Sequence, residues 1–113
     1  MQVKFTSRGT NLIVALIGEL DHHSADSVRT SIDAELMKAS TKNVLIDFTK
    51  VTFMDSSGIG IVVGRYKNMI QLKGNLFLVN PGPQVKRIFE MSGILRQIKV
   101  FDSIDIAIKS IAG

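Results

Sequence analysis

The chain has 113 residues, 45% of them hydrophobic and 21% charged, with a formal net charge of +4 and no cysteine or tryptophan. That length suits one domain, residues 1–113, with a core large enough to fold without covalent staples. The missing thiols exclude a disulfide framework and thiolate chemistry, and a single tyrosine leaves little stacking surface for a strand of nucleic acid.

The opening MQVKFTSRG does not carry a charged segment feeding a long apolar one, and the most apolar run, Leu12 to Ile17, is too short to span a bilayer. A soluble cytoplasmic domain is therefore expected. Val3 and Phe5 alternate with polar neighbours and predict a half-buried strand. Ser7 to Asn11 reads as a turn, and the β-branched run Leu12 to Ile17 as a more buried strand, ended by Gly18-Glu19-Leu20-Asp21. Ser24 can cap a helix whose apolar stripe is Ala25, Val28, Ile32, Leu36 and Ala39. Val44 to Phe48 is a second buried strand.

A second helix begins just after Asp55, with Ile59, Val62, Val63, Tyr66, Met69 and Ile70 on one face. Gly74 suits a left-handed position at its end. Leu76 to Val79 is the next strand, and Pro83 opens a short helix with Val85, Ile88 and Phe89 buried, stopped by Ser92-Gly93. Ile98 to Phe101 is the last strand. Ile104, Ala107, Ile108 and Ile111 mark a final helix.

The order β-β-α-β-α-β-α-β-α predicts an α/β fold. Its mixed, mostly parallel sheet has an antiparallel N-terminal edge strand, and its helices lie mainly on one face. Asp21 and Asp55 both follow the carboxyl ends of parallel strands, where open sheets meet ligands and partners. The sets Asp21-His22-His23 and Asp55-Ser56-Ser57 are thus expected to be neighbours.

Three chemistries are open to the stretch Asp55-Ser56-Ser57-Gly58: a helix cap, a nucleophile, or a serine that a partner modifies. A hydrolase elbow needs G-x-S-x-G, whereas the chain has D-S-S-G-I-G. Adjacent histidines lack metal-ligand spacing, and the glycines match neither nucleotide-binding fingerprint. No catalytic residue, metal or cofactor is expected. Asp55 or Ser56 would serve as the cap, leaving a hydroxyl beside free amides and the positive end of the helix dipole, a setting that stabilises a phosphate. Gly60 and Gly64 share a helix flank at a cost in helix propensity, which implies close approach by another element or a second protein. Ile61 is expected on the same outer face.

The blocks Gly18-Glu19-Leu20-Asp21-His22-His23, Phe53-Met54-Asp55-Ser56-Ser57-Gly58-Ile59-Gly60, Gly64-Arg65-Tyr66-Lys67 and Val85 to Ile94 resemble those of the anti-sigma factor antagonists, single STAS domains of spore-forming bacteria. His22-His23 and Gly64 to Lys67 lean toward the sporulation branch, which opposes the anti-sigma F factor, over the stress-response branch. The resemblance implies a STAS fold without catalytic activity. It implies that the unphosphorylated form binds an anti-sigma factor serine kinase with bound nucleotide, releasing sigma F. The kinase would phosphorylate Ser56 and the complex would part. A serine phosphatase would restore the free form. The partner-facing set is Asp21, His22, His23, Asp55, Ser56, Ser57, Gly58, Gly60, Ile61 and Gly64, with no direct contact to nucleic acid or membrane. A STAS module that scaffolds an assembly without a switch is the alternative.

Overall fold

The computed structural model describes residues 1–38 and 40–112; Ala39, expected on the first helix stripe, lies outside the described residues. The elements are β1 (Gln2–Arg8), β2 (Asn11–Leu20), α1 (Ala25–Leu36), β3 (Asn43–Met54), α2 (Ser57–Gln71), β4 (Asn75–Val79), α3 (Pro83–Ser92), β5 (Val100–Phe101) and α4 (Ile104–Ala112). A 3-10 turn, Ile94–Arg96, joins α3 to β5. The sheet runs β1-β2-β3-β4-β5 in space. β1 is antiparallel to β2 and the remaining pairs are parallel, as the element order predicts.

Because each crossover steps one strand in the same direction, α1, α2 and α3 lie on one face. They cover Val14, Leu16, Val44, Ile46, Phe48, Leu76 and Leu78, all essentially fully buried. The final helix does not join them. Ala107, with Ile104, Ile108 and Ile111 beside it, packs on Ile13, Leu45, Val79 and Phe101 of the opposite face. Successive strand residues point to opposite faces, so the near-continuous apolar runs of β2, β3 and β4 require cover on both sides.

Two strands are longer than their apolar runs. β2 and β3 stay paired from Asn11↔Asn43 to Leu20↔Met54, with register shifts near Ala15/Ile17 and Gly18/Glu19. Gly18 takes φ +112 at the second shift, a conformation favouring glycine. β4 pairs only with Asn43 to Asp47 of β3. The upper ends of β2 and β3 therefore stand clear of β4 and carry the Asp21 and Asp55 loops.

Helix α2 is turned differently from its apolar stripe. Its buried residues are Gly58, Ile61, Val62, Arg65 and Met69, whereas Ile70 is 47% exposed. Ile61, expected outside, is 4% exposed and belongs to the core. The cause is Gly58, whose backbone lies so close to Met54 that an added Cβ would overlap the Met54 side chain. Seating Gly58 on the sheet rolls Ile61 and Arg65 inward. Arg65 is accepted there because its Nε lies 2.9 Å from Asp33 Oδ1 of α1.

The close of α2 also differs from expectation. Lys73 takes the left-handed position, at φ +61. Gly74 is needed for proximity instead, since a Cβ there would meet the Lys42 carbonyl. Gly93 does take the left-handed position after α3, at φ +81.

Two glycines of α2 provide opposite tests. Gly58→Ala is expected to destabilise the protein by about 1–3 kcal/mol, because fully buried Met54 must shift. Gly60→Ala meets nothing within 4 Å and should stabilise by up to about 1 kcal/mol through helix propensity. Denaturant unfolding of both variants checks the pair. Equal effects would contradict the seating of Gly58.

Candidate functional site

The final rung of the β2–β3 ladder sets the site. Leu20 pairs with Met54, and the Asp55 amide donates to the Leu20 carbonyl at 3.1 Å. The two loops therefore leave the sheet side by side, bringing together the two sets expected to be neighbours.

Asp55 joins them. Its Oδ1 accepts from the Ser57 amide at 2.8 Å and its Oδ2 from the His22 amide at 3.2 Å. The His22 Nδ1 lies 3.8 Å from the same Oδ2. One carboxylate thus caps α2 and ties down the preceding loop of α1. The Asp55 carbonyl accepts the Gly58 amide and the Ser56 carbonyl the Ile59 amide, both at 3.1 Å. The first amides of α2 are consequently taken, in contrast to the free amides expected beside the serines.

Asp21 organises its own turn in the same way. Its Oδ1 accepts the amides of His23 at 3.0 Å and Ser24 at 3.1 Å. Ser24, expected to cap α1, makes no capping bond. Its hydroxyl donates to the Glu19 carbonyl at 3.0 Å and accepts the Asp21 amide at 3.1 Å. The exposed rings of His22 and His23 lie 3.9 Å apart, tilted by 38°.

These contacts set the acidity of both carboxyls. Partial desolvation pushes Asp21 up, but the amides of Ser24 and His23 outweigh it and hold the carboxyl below its ordinary value. At Asp55 the Ser57 amide is the principal cause of a lowered pKa, against partial desolvation, and the His22 amide adds to it.

Ser56 occupies the N-cap position of α2 without a side-chain capping bond, and it is exposed. Among the described residues no hydrogen bond joins it to either histidine, so no activated nucleophile is assembled. Nor do three metal-ligating side chains gather among the described residues. Ser57 is half-buried, while Gly58 and Ile61 are inside. Gly60 and Gly64 stay on the outer flank of α2, where a Cβ would meet open space. Close approach by another element of this chain is therefore not what these two glycines serve.

Two contributors escaped the sequence reading. Gln84 of α3 donates from Nε2 to the Met54 carbonyl at 2.7 Å and accepts the Met54 amide on Oε1 at 3.1 Å. Nothing in the pattern PGPQVKRIF marks a glutamine for that task. Asp33 is the other, since its pairing with Arg65 joins two helices far apart in sequence.

The family described as STAS domain matches residues 2–107. The anti-sigma F factor antagonist of Paenibacillus polymyxa is 34% identical over 103 residues, covering 91% of this chain and 88% of the relative. Among solved structures, the anti-sigma factor antagonist SpoIIAA in its unphosphorylated form superposes with a TM-score of 0.86 at 28% identity, covering 99% of this chain and 97% of that one. The phosphorylated form of the Bacillus cell fate determinant SpoIIAA gives a TM-score of 0.76 at 27% identity, covering 97% and 99%. These relatives are regulators, and the same fold accommodates both states of phosphorylation.

The division of labour at the helix entry predicts distinct stability effects. Ser56→Ala should leave unfolding free energy within about 0.5 kcal/mol of wild type, because Asp55 supplies the cap. A lowered native pKa means that Asp55 stabilises the fold fully above its ordinary value of 3.8, and that this contribution is lost as pH falls through the lowered value. Asp55→Asn cannot titrate there. Its stability should decline less steeply than that of wild type below about pH 4, as measured by urea unfolding across pH. Parallel slopes would contradict the assignment.

Proposed function

We propose, on the premise that the chain belongs to the STAS-domain anti-sigma factor antagonist family, that it works as a switch governed by phosphorylation of Ser56. In the unphosphorylated state residues 1–113, as one domain, bind an anti-sigma F factor that is also a serine kinase with bound nucleotide. Sigma F is thereby released in the cytoplasm. The kinase transfers the γ-phosphoryl group of ATP to the Ser56 hydroxyl, leaving ADP, and a serine phosphatase later hydrolyses the ester.

One observation carries this reading. Asp55 performs the capping, so the Ser56 hydroxyl remains outside at the helix entry without a structural task. The surroundings explain why a phosphate there would act on a complex rather than on the fold. A phosphoserine adds about −1.5 to −2 charges at neutral pH. The helix dipole favours that charge, while the Asp55 carboxylate opposes it. In free protein the dianion stays in water. A partner covering Ser56 must desolvate it beside Asp55, so affinity falls while the core beneath remains packed.

The contact surface proposed for the partner comprises Asp21, His22, His23, Asp55, Ser56 and Ser57 on the rim, continued by the open flank of Gly60 and Gly64. Gly58 and Ile61 lie beneath it. They support its shape from inside. Backbone is accessible at Gly60, allowing a partner to approach more closely than any side chain would permit. A non-switching scaffold would have no use for an unencumbered serine in this position.

Incubation with the anti-sigma F factor of the same organism and ATP should place phosphate on Ser56, read by peptide mass spectrometry. Ser56→Ala should bind the factor and take no phosphate. Phosphate predominantly on Ser57 would overturn the assignment. Asp21→Asn keeps an oxygen acceptor for the His23 and Ser24 amides while removing the charge. It should weaken binding in titration calorimetry by about tenfold, the loss expected for one charged contact, with little change in melting temperature. Intact binding with a large drop in melting temperature would make Asp21 a purely structural residue.

A further inference from the structure

β3 loses its neighbour on one side at the point where the site begins. β4 pairs with β3 no further than Asp47, yet β3 continues to Met54. On the β2 side Met54 has Leu20 as its partner. In a strand the N–H and C=O of one residue point to the same side, and those of Met54 point to the side that β4 has left. The Gln84 amide meets both: Oε1 accepts the N–H at 3.1 Å and Nε2 donates to the C=O at 2.7 Å. A primary amide is the side chain suited to this, because it presents one donor and one acceptor side by side, as a neighbouring strand does.

Met54 is held from other directions as well. Its side chain is fully buried, against the backbone of Gly58 and close to Leu20. The next residue is Asp55, whose carboxylate caps α2 and holds His22. Gln84 thus clamps the last residue of β3, Met54 sets Asp55, and Asp55 sets the entry at Ser56. Gln84 itself is exposed and sits in the first turn of α3, outside the rim formed by the Asp21 and Asp55 loops.

We infer that Gln84 is a positioning residue for Ser56, coupling the start of α3 to the presentation of the phosphoacceptor. This rests on the reading of Ser56 given above. The clamp keeps the serine hydroxyl in one place relative to Asp55 and the α2 entry. Phosphoryl transfer depends on such placement, and a displacement of about an ångström costs up to about a hundredfold in rate. Gln84→Met keeps the length of the side chain and removes both hydrogen bonds. Gln84→Asn keeps the amide and falls short by one methylene.

Two measurements on the full chain test this. In amide hydrogen exchange, Gln84→Met and Gln84→Asn should speed exchange at Met54, Ser57 and His22 by about tenfold or more, with the amides of mid-α1 and mid-α2 unchanged. With the anti-sigma F factor kinase and ATP, both variants should show kcat/KM for Ser56 phosphorylation reduced by about tenfold, while their melting temperatures stay close to wild type. A Met54 amide as protected as in wild type, or faster exchange spread evenly over the chain, overturns the clamp. Localised faster exchange with wild-type kcat/KM overturns the positioning role. A wild-type protein that takes no phosphate overturns the reading of Ser56 itself and not the hold of Gln84 on Met54, which the exchange rates decide alone.

Discussion

Backbone amides and carbonyls that leave water must find partners, and at the upper edge of this sheet strand pairing cannot supply them. β2 and β3 rise above β4, and side chains complete the ladder in its place. Gln84 serves Met54, Asp55 serves Ser57 and His22, and Asp21 serves His23 and Ser24. Ser24 closes the set by bridging the Asp21 amide and the Glu19 carbonyl. The polar residues of the rim are therefore mostly engaged with their own backbone. A regulator gains from this arrangement, because a rim held by many short-range bonds presents the same surface in each molecule.

The exception is Ser56. Its neighbours on either side carry the structural work, one by capping the helix and the other by giving an amide to that cap. The hydroxyl can be esterified without removing a bond that the fold needs. The proposed switch rests on the contrast between an engaged carboxylate and a disengaged hydroxyl one residue away. Two SpoIIAA structures to which this chain is similar show the fold in an unphosphorylated and a phosphorylated form.

Beneath the rim, orientation is fixed by close packing and by one charge pair between buried Arg65 and half-buried Asp33. Gly58 permits Met54 to lie directly under the first turn of α2, which faces Ile61 and Arg65 inward. Arg65 then meets Asp33, itself within 3.9 Å of Arg29 on α1. Arg65 Nε and Nη1 and Asp33 Oδ1 are buried without hydrogen-bond geometry, so the contact is a charge pairing rather than an aligned hydrogen bond, a modest source of stability and a stronger constraint on how the two helices face each other. Since α1 follows the Asp21 turn and α2 follows Ser56, their mutual orientation keeps both halves of the rim in line.

The amino-acid sequence by itself determined the element order, the antiparallel edge strand, the parallel core and the meeting of the Asp21 and Asp55 loops. Those features follow from local hydrophobic period, turn residues and the handedness of crossovers, all of which are written along the chain. Local pattern could not reach the length of β2 and β3, because a polar residue such as Lys50 is held in a strand by pairing with the distant Ile17. It could not place α4, whose stripe would fit either face of the sheet. Nor could it orient α2, where apolar residues surround much of the helix and the contact between Gly58 and Met54 chooses the face. Whether Asp55 or Ser56 caps the helix, and that Gln84 stands in for a missing strand, depend on which groups three-dimensional packing brings within hydrogen-bond reach. Only the tertiary structure decided those points.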